Sequence, residues 1–172
     1  MIKAIFLDRD GVINKTINGK PPQTVKEVEL VDGIKELVNY FIKNEFKIFC
    51  ITNQPDVSRG TQTIENVEKI NDYLWTLLPI TDFAVCYHSG QDNCICRKPK
   101  DGLIRNLSKQ YDVDLSQSYV IGDRWRDIEA GQRANCRTIF IDYKYDEKQP
   151  INPDYTINKV KDVLSIFQKG KK

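Results

Sequence analysis

Two aspartates flanking an arginine stand in Asp8-Arg9-Asp10-Gly11, directly after the apolar run Ile2–Leu7. Residues two apart on an extended segment leave the same face, so Asp8 and Asp10 are expected to converge on one point. Like charges tolerate that only beside a cation or a shared proton. Polar groups also follow other apolar runs: Thr52-Asn53-Gln54, Arg97-Lys98-Pro99, and Gly122-Asp123-Arg124 with Asp127 beyond. Asp123 makes a third carboxylate. Hard oxygen donors with no imidazole beside them suit Mg²⁺, which keeps some waters and takes phosphate oxygens of a substrate as further ligands. Lys98 supplies a point charge for the same phosphate, and Thr52 a hydroxyl. The chemistry open to this set is phosphoryl transfer through a carboxylate. Asp8 attacks phosphorus, Lys98 and the metal neutralise the equatorial oxygens, and Asp10 protonates the leaving alkoxide before deprotonating the hydrolytic water. A calcium loop starting at Asp8 is excluded, because its sixth position needs glycine and holds Ile13.

Composition narrows the field further. The 172 residues include a single histidine, so any Ser-His-Asp or Cys-His mechanism would have to use His88. That histidine falls instead in Cys86-x-His88 followed by Cys94-x-Cys96, four metal-ligating side chains within eleven residues. Four S/N ligands suit a structural tetrahedral Zn²⁺ and leave no open position for a catalytic water. The alternative is a loop of free thiols or a strained disulfide. As a zinc site, residues 86–96 would form a staple that delivers Arg97 and Lys98 to the cleft. Cys50 and Cys136 lie in or beside apolar strands and are expected in the core.

The elements that must position these groups alternate along the chain. Strands are expected at Ile2–Leu7, Phe46–Ile51, Phe83–Tyr87, Tyr119–Ile121 and Thr138–Ile141, and helices at Gly33–Asn44, Ile64–Leu78, Leu103–Tyr111, Arg126–Ala134 and Val160–Phe167. Such alternation predicts an α/β Rossmann-like domain over 1–172, a parallel sheet with helices on both faces. Ligands of such sheets bind outside the carboxyl ends of the strands, where every polar group named above falls. Irregular stretches are expected at Asn14–Leu30, Ser89–Lys100 and Tyr143–Pro153, none long enough for a cap domain.

With 26 Lys+Arg against 24 Asp+Glu the net charge is +2, and without the tail residues Lys169, Lys171 and Lys172 it is 23 cations against 24 acids, or −1. No nucleic-acid surface is expected from that balance. The chain has no stretch approaching the roughly 18 apolar residues of a membrane span, and Met1–Leu7 is too short for a signal peptide. A cytoplasmic monomer is expected, acting on a small molecule without nucleic acid or membrane.

Asp8-Arg9-Asp10-Gly11-Val12-Ile13-Asn14, Thr52-Asn53-Gln54, Arg97-Lys98-Pro99 and Gly122-Asp123-Arg124 with Asp127 resemble the four motifs of the haloacid dehalogenase superfamily, and span most of the chain. The resemblance implies a Mg²⁺-dependent phosphoric monoester hydrolase with Asp8 as nucleophile and Asp10 as acid/base. Thr52 and Lys98 would stabilise the phosphoryl group. The metal would be held by Asp8, Asp123 and the Asp10 backbone carbonyl. Asp127 would meet the metal directly, meet it through water, or only cap the following helix. The zinc loop fused to Arg97-Lys98-Pro99 is similar to two groups of that superfamily, one acting on a heptose bisphosphate in the supply of envelope glycans and one on histidinol phosphate. Asp56-Val57-Ser58-Arg59-Gly60 looks more like the first. A sugar with two phosphates wants cations beyond the reacting centre, and Arg59, Arg97 and Arg124, with Asn53 and Gln54, are the expected substrate contacts. A catalytically silent phosphosugar-binding module is the alternative from another class.

Overall fold

The chain, described over residues 1–168 in a computed structural model, begins with strand β1 (Lys3–Leu7). The basic tail Lys169, Lys171 and Lys172 lies outside the described residues. After β1 come helix α1 (Ile34–Lys43), β2 (Phe46–Asn53), α2 (Ile64–Leu77), β3 (Asp82–Cys86), α3 (Gly102–Tyr111), β4 (Tyr119–Gly122), α4 (Trp125–Arg133), β5 (Arg137–Ile141), β6 (Tyr155–Ile157) and α5 (Val163–Gln168). The five expected strands and five expected helices are all present, with ends shifted by one or two residues except at the last helix. That helix starts as a 3₁₀ turn at Val160–Asp162 and becomes α-helical only from Val163. Strand β6 was not expected from the sequence: three residues at a sheet edge, mostly exposed, carry too short an apolar pattern to register.

All six strands are parallel, in the order β3-β2-β1-β4-β5-β6. Side chains alternate across the pleat, and the helices cover both faces accordingly. Ile5 and Leu7 of β1 pack with Ile34, Leu37, Val38 and Phe41 of α1, Ile70 and Leu74 of α2 and Val163 of α5. Ala4 and Phe6 face the other way, onto Leu103, Ile104 and Leu107 of α3 and Ala130 of α4. Cys50 and Cys136 are buried in these two cores, as expected.

The order places a functional crevice. The chain runs outward from β1 through β2 to β3, then returns to add β4 on the other side of β1, so the strand order reverses between β1 and β4. Connections leave such a switch point in opposite directions and open a cleft outside the strand ends. Register sets Leu7 beside Ile121 and Asn53 beside Cys86, bringing the polar residues that follow each strand to one rim. No helix among the described residues is long and apolar enough to cross a membrane.

Candidate active site

A cleft of about 770 Å³ opens at this rim, lined by Asp8, Asp10, Lys98 and Asp127 at one end and by Lys20, Arg59, Arg124 and Arg126 elsewhere. Its centre is a buried ion cluster. Lys98 Nζ donates to Asp8 Oδ1 at 2.8 Å, lies 2.6 Å from Asp127 Oδ1, and donates to the Ile51 carbonyl at 2.8 Å. The Lys98 side chain is only 3% exposed, so little water shares these contacts. Asn53, at the end of β2, holds the Lys98 main chain from both sides. Its Oδ1 accepts the Lys98 amide N–H, and its Nδ2 donates to the Lys98 carbonyl, each at 3.1 Å.

Carboxylate oxygens of Asp8, Asp123 and Asp127 all lie within 4.8 Å of one another. Gly11 allows this crowding. Its φ of +95° suits glycine, and a Cβ there would lie 2.1 Å from Asp123 Oδ2. Gly122 serves the same end, since a Cβ would fall 2.1 Å from the Cβ of Asp127. Asp127 uses its second oxygen to accept the Arg124 N–H at 3.0 Å, capping α4. Capping, one of the roles the sequence leaves open for Asp127, is thus present, and the same side chain also pairs with Lys98.

Lys98 pairs with two of these carboxylates, and the only cation near Asp123 among the described residues is Arg124 Nε at 3.9 Å, so the electrostatics reflect an imbalance. Burial, followed by the charge of Asp127, pushes the Asp8 carboxyl up to about 6 against the opposing pull of Lys98. Burial, then Asp8 and Asp127, holds Asp123 well above the ordinary carboxylate range. Burial works against the Lys98 charge, but Asp127 and Asp8 outweigh it and raise its proton affinity. Asp123 Oδ1 is buried with no hydrogen-bond partner, while Oδ2 accepts from Tyr145 at 2.9 Å. A cluster short of positive charge, with an orphaned oxygen and hard donors throughout, fits a divalent cation of the Mg²⁺ kind.

Asp10 lines the same cleft as Asp8 but lies outside the group of three carboxylates. The chain turns immediately after β1, with Ile13 and Asn14 N–H both donating to the Arg9 carbonyl, so strand alternation stops at the point where it was invoked. Asp10 turns its carboxylate toward Arg9, Asn14 Nδ2 (3.0 Å) and Gln54 Nε2 (2.8 Å). Gln54 also donates to Thr52 Oγ1 at 2.9 Å and is nearly buried. Asn53 and Gln54, expected at the substrate, thus spend their amides on Lys98, Asp10 and Thr52. Asn53 alone of the two lines the cleft.

Among the expected cations, Arg59 lines the cleft beside Asp56, 3.2 Å away. Arg124 is fixed by Glu147 at 3.1 Å and by stacking on Tyr145, 3.7 Å from the ring centroid. Arg97 donates to the His88 carbonyl and lines an adjoining cavity with Trp125 and Arg126. Lys20, Arg126 and Tyr145 were not singled out from sequence. Arg126, between Arg124 and Asp127 in the first turn of α4, carried a readable signal. Tyr145 sits in an irregular stretch and carried none.

The second cluster lies behind Lys98. Sγ of Cys86 is 3.2 Å from that of Cys96 and 3.7 Å from that of Cys94, and His88 Nδ1 lies 3.5 Å from Cys86 and 3.2 Å from Cys96. Bond lengths of about 2.3 Å to sulfur and 2.0 Å to nitrogen give a tetrahedron with edges of roughly 3.5–3.8 Å, so the donor set fits zinc in size and in kind. Burial pushes the Cys86 thiol up to about 12. At Cys94 burial acts in the same direction but is outweighed by hydrogen bonds from the Arg97 amide and neighbouring thiols, bringing it down to about 7. The loop closes on α3, where a Cβ on Gly102 would meet the Ile95 carbonyl at 2.4 Å.

A family model described as HAD-hydrolase-like matches residues 95–163. The D-glycero-alpha-D-manno-heptose-1,7-bisphosphate 7-phosphatase of Campylobacter jejuni is 33% identical over 96% of this chain and 96% of its own. The D-glycero-beta-D-manno-heptose-1,7-bisphosphate 7-phosphatase of Helicobacter pylori is 36% identical over 78% of this chain and 80% of its own. In fold, the chain is similar to the crystal structure of a D,D-heptose 1,7-bisphosphate phosphatase from B. bronchiseptica complexed with magnesium and phosphate, with a TM-score of 0.84 at 23% identity over 98% of this chain and 99% of that one. With strand ends, carboxylates and lysine arranged as described and a relative matched over nearly its whole length, the chain belongs to the haloacid dehalogenase-like family of phosphatases.

Proposed function

We propose that this phosphatase removes the 7-phosphate of D-glycero-D-manno-heptose 1,7-bisphosphate through an aspartyl-phosphate on Asp8, supplying heptose 1-phosphate for nucleotide-activated heptose and envelope glycans. The observation that carries the reaction is the buried Asp8–Lys98–Asp127 ion cluster with Asp123 beside it. The substrate class rests on the named relatives and on Lys20, Arg59, Arg124 and Arg126 lining the same cleft, cations in excess of what one phosphate needs.

Asp8 Oδ1 is occupied by Lys98 Nζ and by the Arg9 amide at 2.9 Å, which leaves Oδ2 to attack phosphorus. The P–O bond to the sugar breaks as the Asp8–phosphorus bond forms, and Asp10 gives its proton to the departing alkoxide. Water then attacks the phosphoryl group, gives a proton to Asp10 and releases Asp8. Lys98 and the Thr52 hydroxyl hold the transferring oxygens. Asp8, Asp123 and the Asp10 backbone carbonyl would hold Mg²⁺, with Asp127 in contact with the same cluster; when bound, the ion offsets the negative charge that builds on the phosphoryl oxygens. Cys86, His88, Cys94 and Cys96 hold Zn²⁺ in this reading, and the stapled loop fixes Arg97 and Lys98. The protein acts as a cytoplasmic monomer.

Steady-state phosphate release should be compared on both anomers of the heptose bisphosphate and on histidinol phosphate. A kcat/KM on one heptose anomer at least tenfold above that on histidinol phosphate is expected; the reverse order would overturn the substrate reading.

A further inference from the structure

Arg9 has the largest fully buried side chain among the described residues, and a buried guanidinium must be compensated on several sides. Its Nε donates to Asp10 Oδ1 at 3.2 Å and its Nη2 to Asp10 Oδ2 at 3.3 Å, a fork across both oxygens of one carboxylate. The remaining nitrogen, Nη1, donates to Asn71 Oδ1 at 3.1 Å. Asn71 belongs to α2, whose other buried positions are Val67, Ile70 and Leu74. It is 6% exposed, a polar group where the helix otherwise presents aliphatic side chains to the sheet. Neither Arg9 nor Asn71 lines the cleft, and no residue of α2 does.

We propose that Arg9 is a positioning residue for Asp10 and that Asn71 is the anchor that aims it, so that α2 sets the orientation of the proton-transfer carboxylate without touching substrate. The planar guanidinium fixes the plane of the carboxylate it grips, which a point charge does not. The fork is itself free to tilt unless its third nitrogen is tied, and Asn71 supplies that tie. Asn14 and Gln54 complete the set, one on each oxygen. Arg9 and Asn71 close it from the side away from the substrate. The orientation has a purpose only if Asp10 is the acid/base, so the inference rests on the mechanism above.

The experiment exploits leaving groups. A sugar alkoxide must be protonated as it departs, whereas p-nitrophenolate leaves without a proton, and kcat/KM reports the steps up to that departure. Asn71→Leu keeps the apolar packing of α2 and removes the tie; Arg9→Lys keeps the charge and removes the fork. For each, kcat/KM on the heptose bisphosphate should fall about tenfold or more, several times further than on p-nitrophenyl phosphate, with melting temperatures measured alongside. If either variant fails to fold, the other carries the test. Equal losses on the two substrates in the folded variant would mean that the pair only supports the fold, and would overturn the proposal. Asp10→Asn separates the two readings: with equal losses there, the acid role itself fails. A leaving-group-dependent loss in Asp10→Asn, with none in Asn71→Leu or Arg9→Lys, removes the positioning role alone.

Discussion

The two clusters able to hold a metal are built in opposite ways. Cys86, His88, Cys94 and Cys96 come from eleven consecutive residues, and His88 is exposed. Asp8, Asp123 and Asp127 come from stretches more than a hundred residues apart and are all buried. Soft ligands can be gathered by a short loop at the surface, because metal–ligand bonds themselves supply the ordering energy. Three carboxylates repel one another, so only a preformed scaffold brings them together. Here that scaffold is the β1/β4 switch point, with Gly11 and Gly122 making room and Lys98 inserted between Asp8 and Asp127. In the function proposed above, the loop cluster would serve geometry, and the strand-end cluster would hold the charge that the chemistry uses.

The sharpest way to break that division is at Asp8. Asp8→Asn keeps an oxygen for Lys98 and the Arg9 amide but removes the nucleophile of the proposed mechanism, and turnover should fall by about 10⁴-fold or more with the fold intact. Single-turnover phosphate release against circular dichroism checks it, and retained activity would end the covalent mechanism. Lys98→Met tests the inserted charge. Loss of one preorganised donor at the phosphoryl group should cost roughly 10²–10³-fold in kcat. Leaving two buried carboxylates unpaired should also cost about 3–5 kcal/mol in denaturant unfolding measured without Mg²⁺.

If the Cys/His loop holds zinc as proposed, removing it should have a smaller effect, because the loop would act on the reaction only through Lys98 and Arg97. Exhaustive zinc chelation, verified by metal analysis, is expected to lower activity by about 10–100-fold and to lower the melting temperature in parallel. An unchanged rate after proven zinc loss would detach the loop from the active site.

The same contrast decides what could be read from sequence. The clustering of the loop is legible because its members are neighbours: spacing alone names Cys86, His88, Cys94 and Cys96. The strand ends are legible because period-2 and period-3.6 patterns locate every central element, and ligands collect at carboxyl ends. Illegible were side-chain directions where regular structure stops. Asp10 follows a turn rather than the pleat, and Asn53 and Gln54 point at protein groups that only tertiary contact supplies. Tyr145 reaches Asp123 from an irregular stretch after β5, with no periodicity to announce it. Arg9 reads as a spacer between two aspartates until burial shows what it grips.

The smallest expected effect is a pH dependence of the carboxylate cluster. The Asp8 carboxyl sits at about 6 in the metal-free protein against an ordinary 3.8, chiefly through burial. The folded chain thus binds a proton that the unfolded chain has released between those values, and ∂ΔG/∂pH is negative for this group. Its stabilising contribution is complete below about pH 4 and is lost as pH rises through about 6. Asp123, raised in the same direction, adds to the trend. Mg²⁺ must displace those protons, so its affinity should be about tenfold weaker at pH 5 than at pH 7.5. Urea unfolding of wild type and Asp8→Asn at both pH values, with and without Mg²⁺, isolates the group from other carboxylates. Without Mg²⁺, wild type should lose stability relative to Asp8→Asn on going from pH 5 to 7.5, and saturating Mg²⁺ should reverse that order. A wild type that instead gained on the variant with rising pH in the absence of metal would show that Lys98 already compensates Asp8, and that the carboxylate cluster stands without the metal that the loop needs.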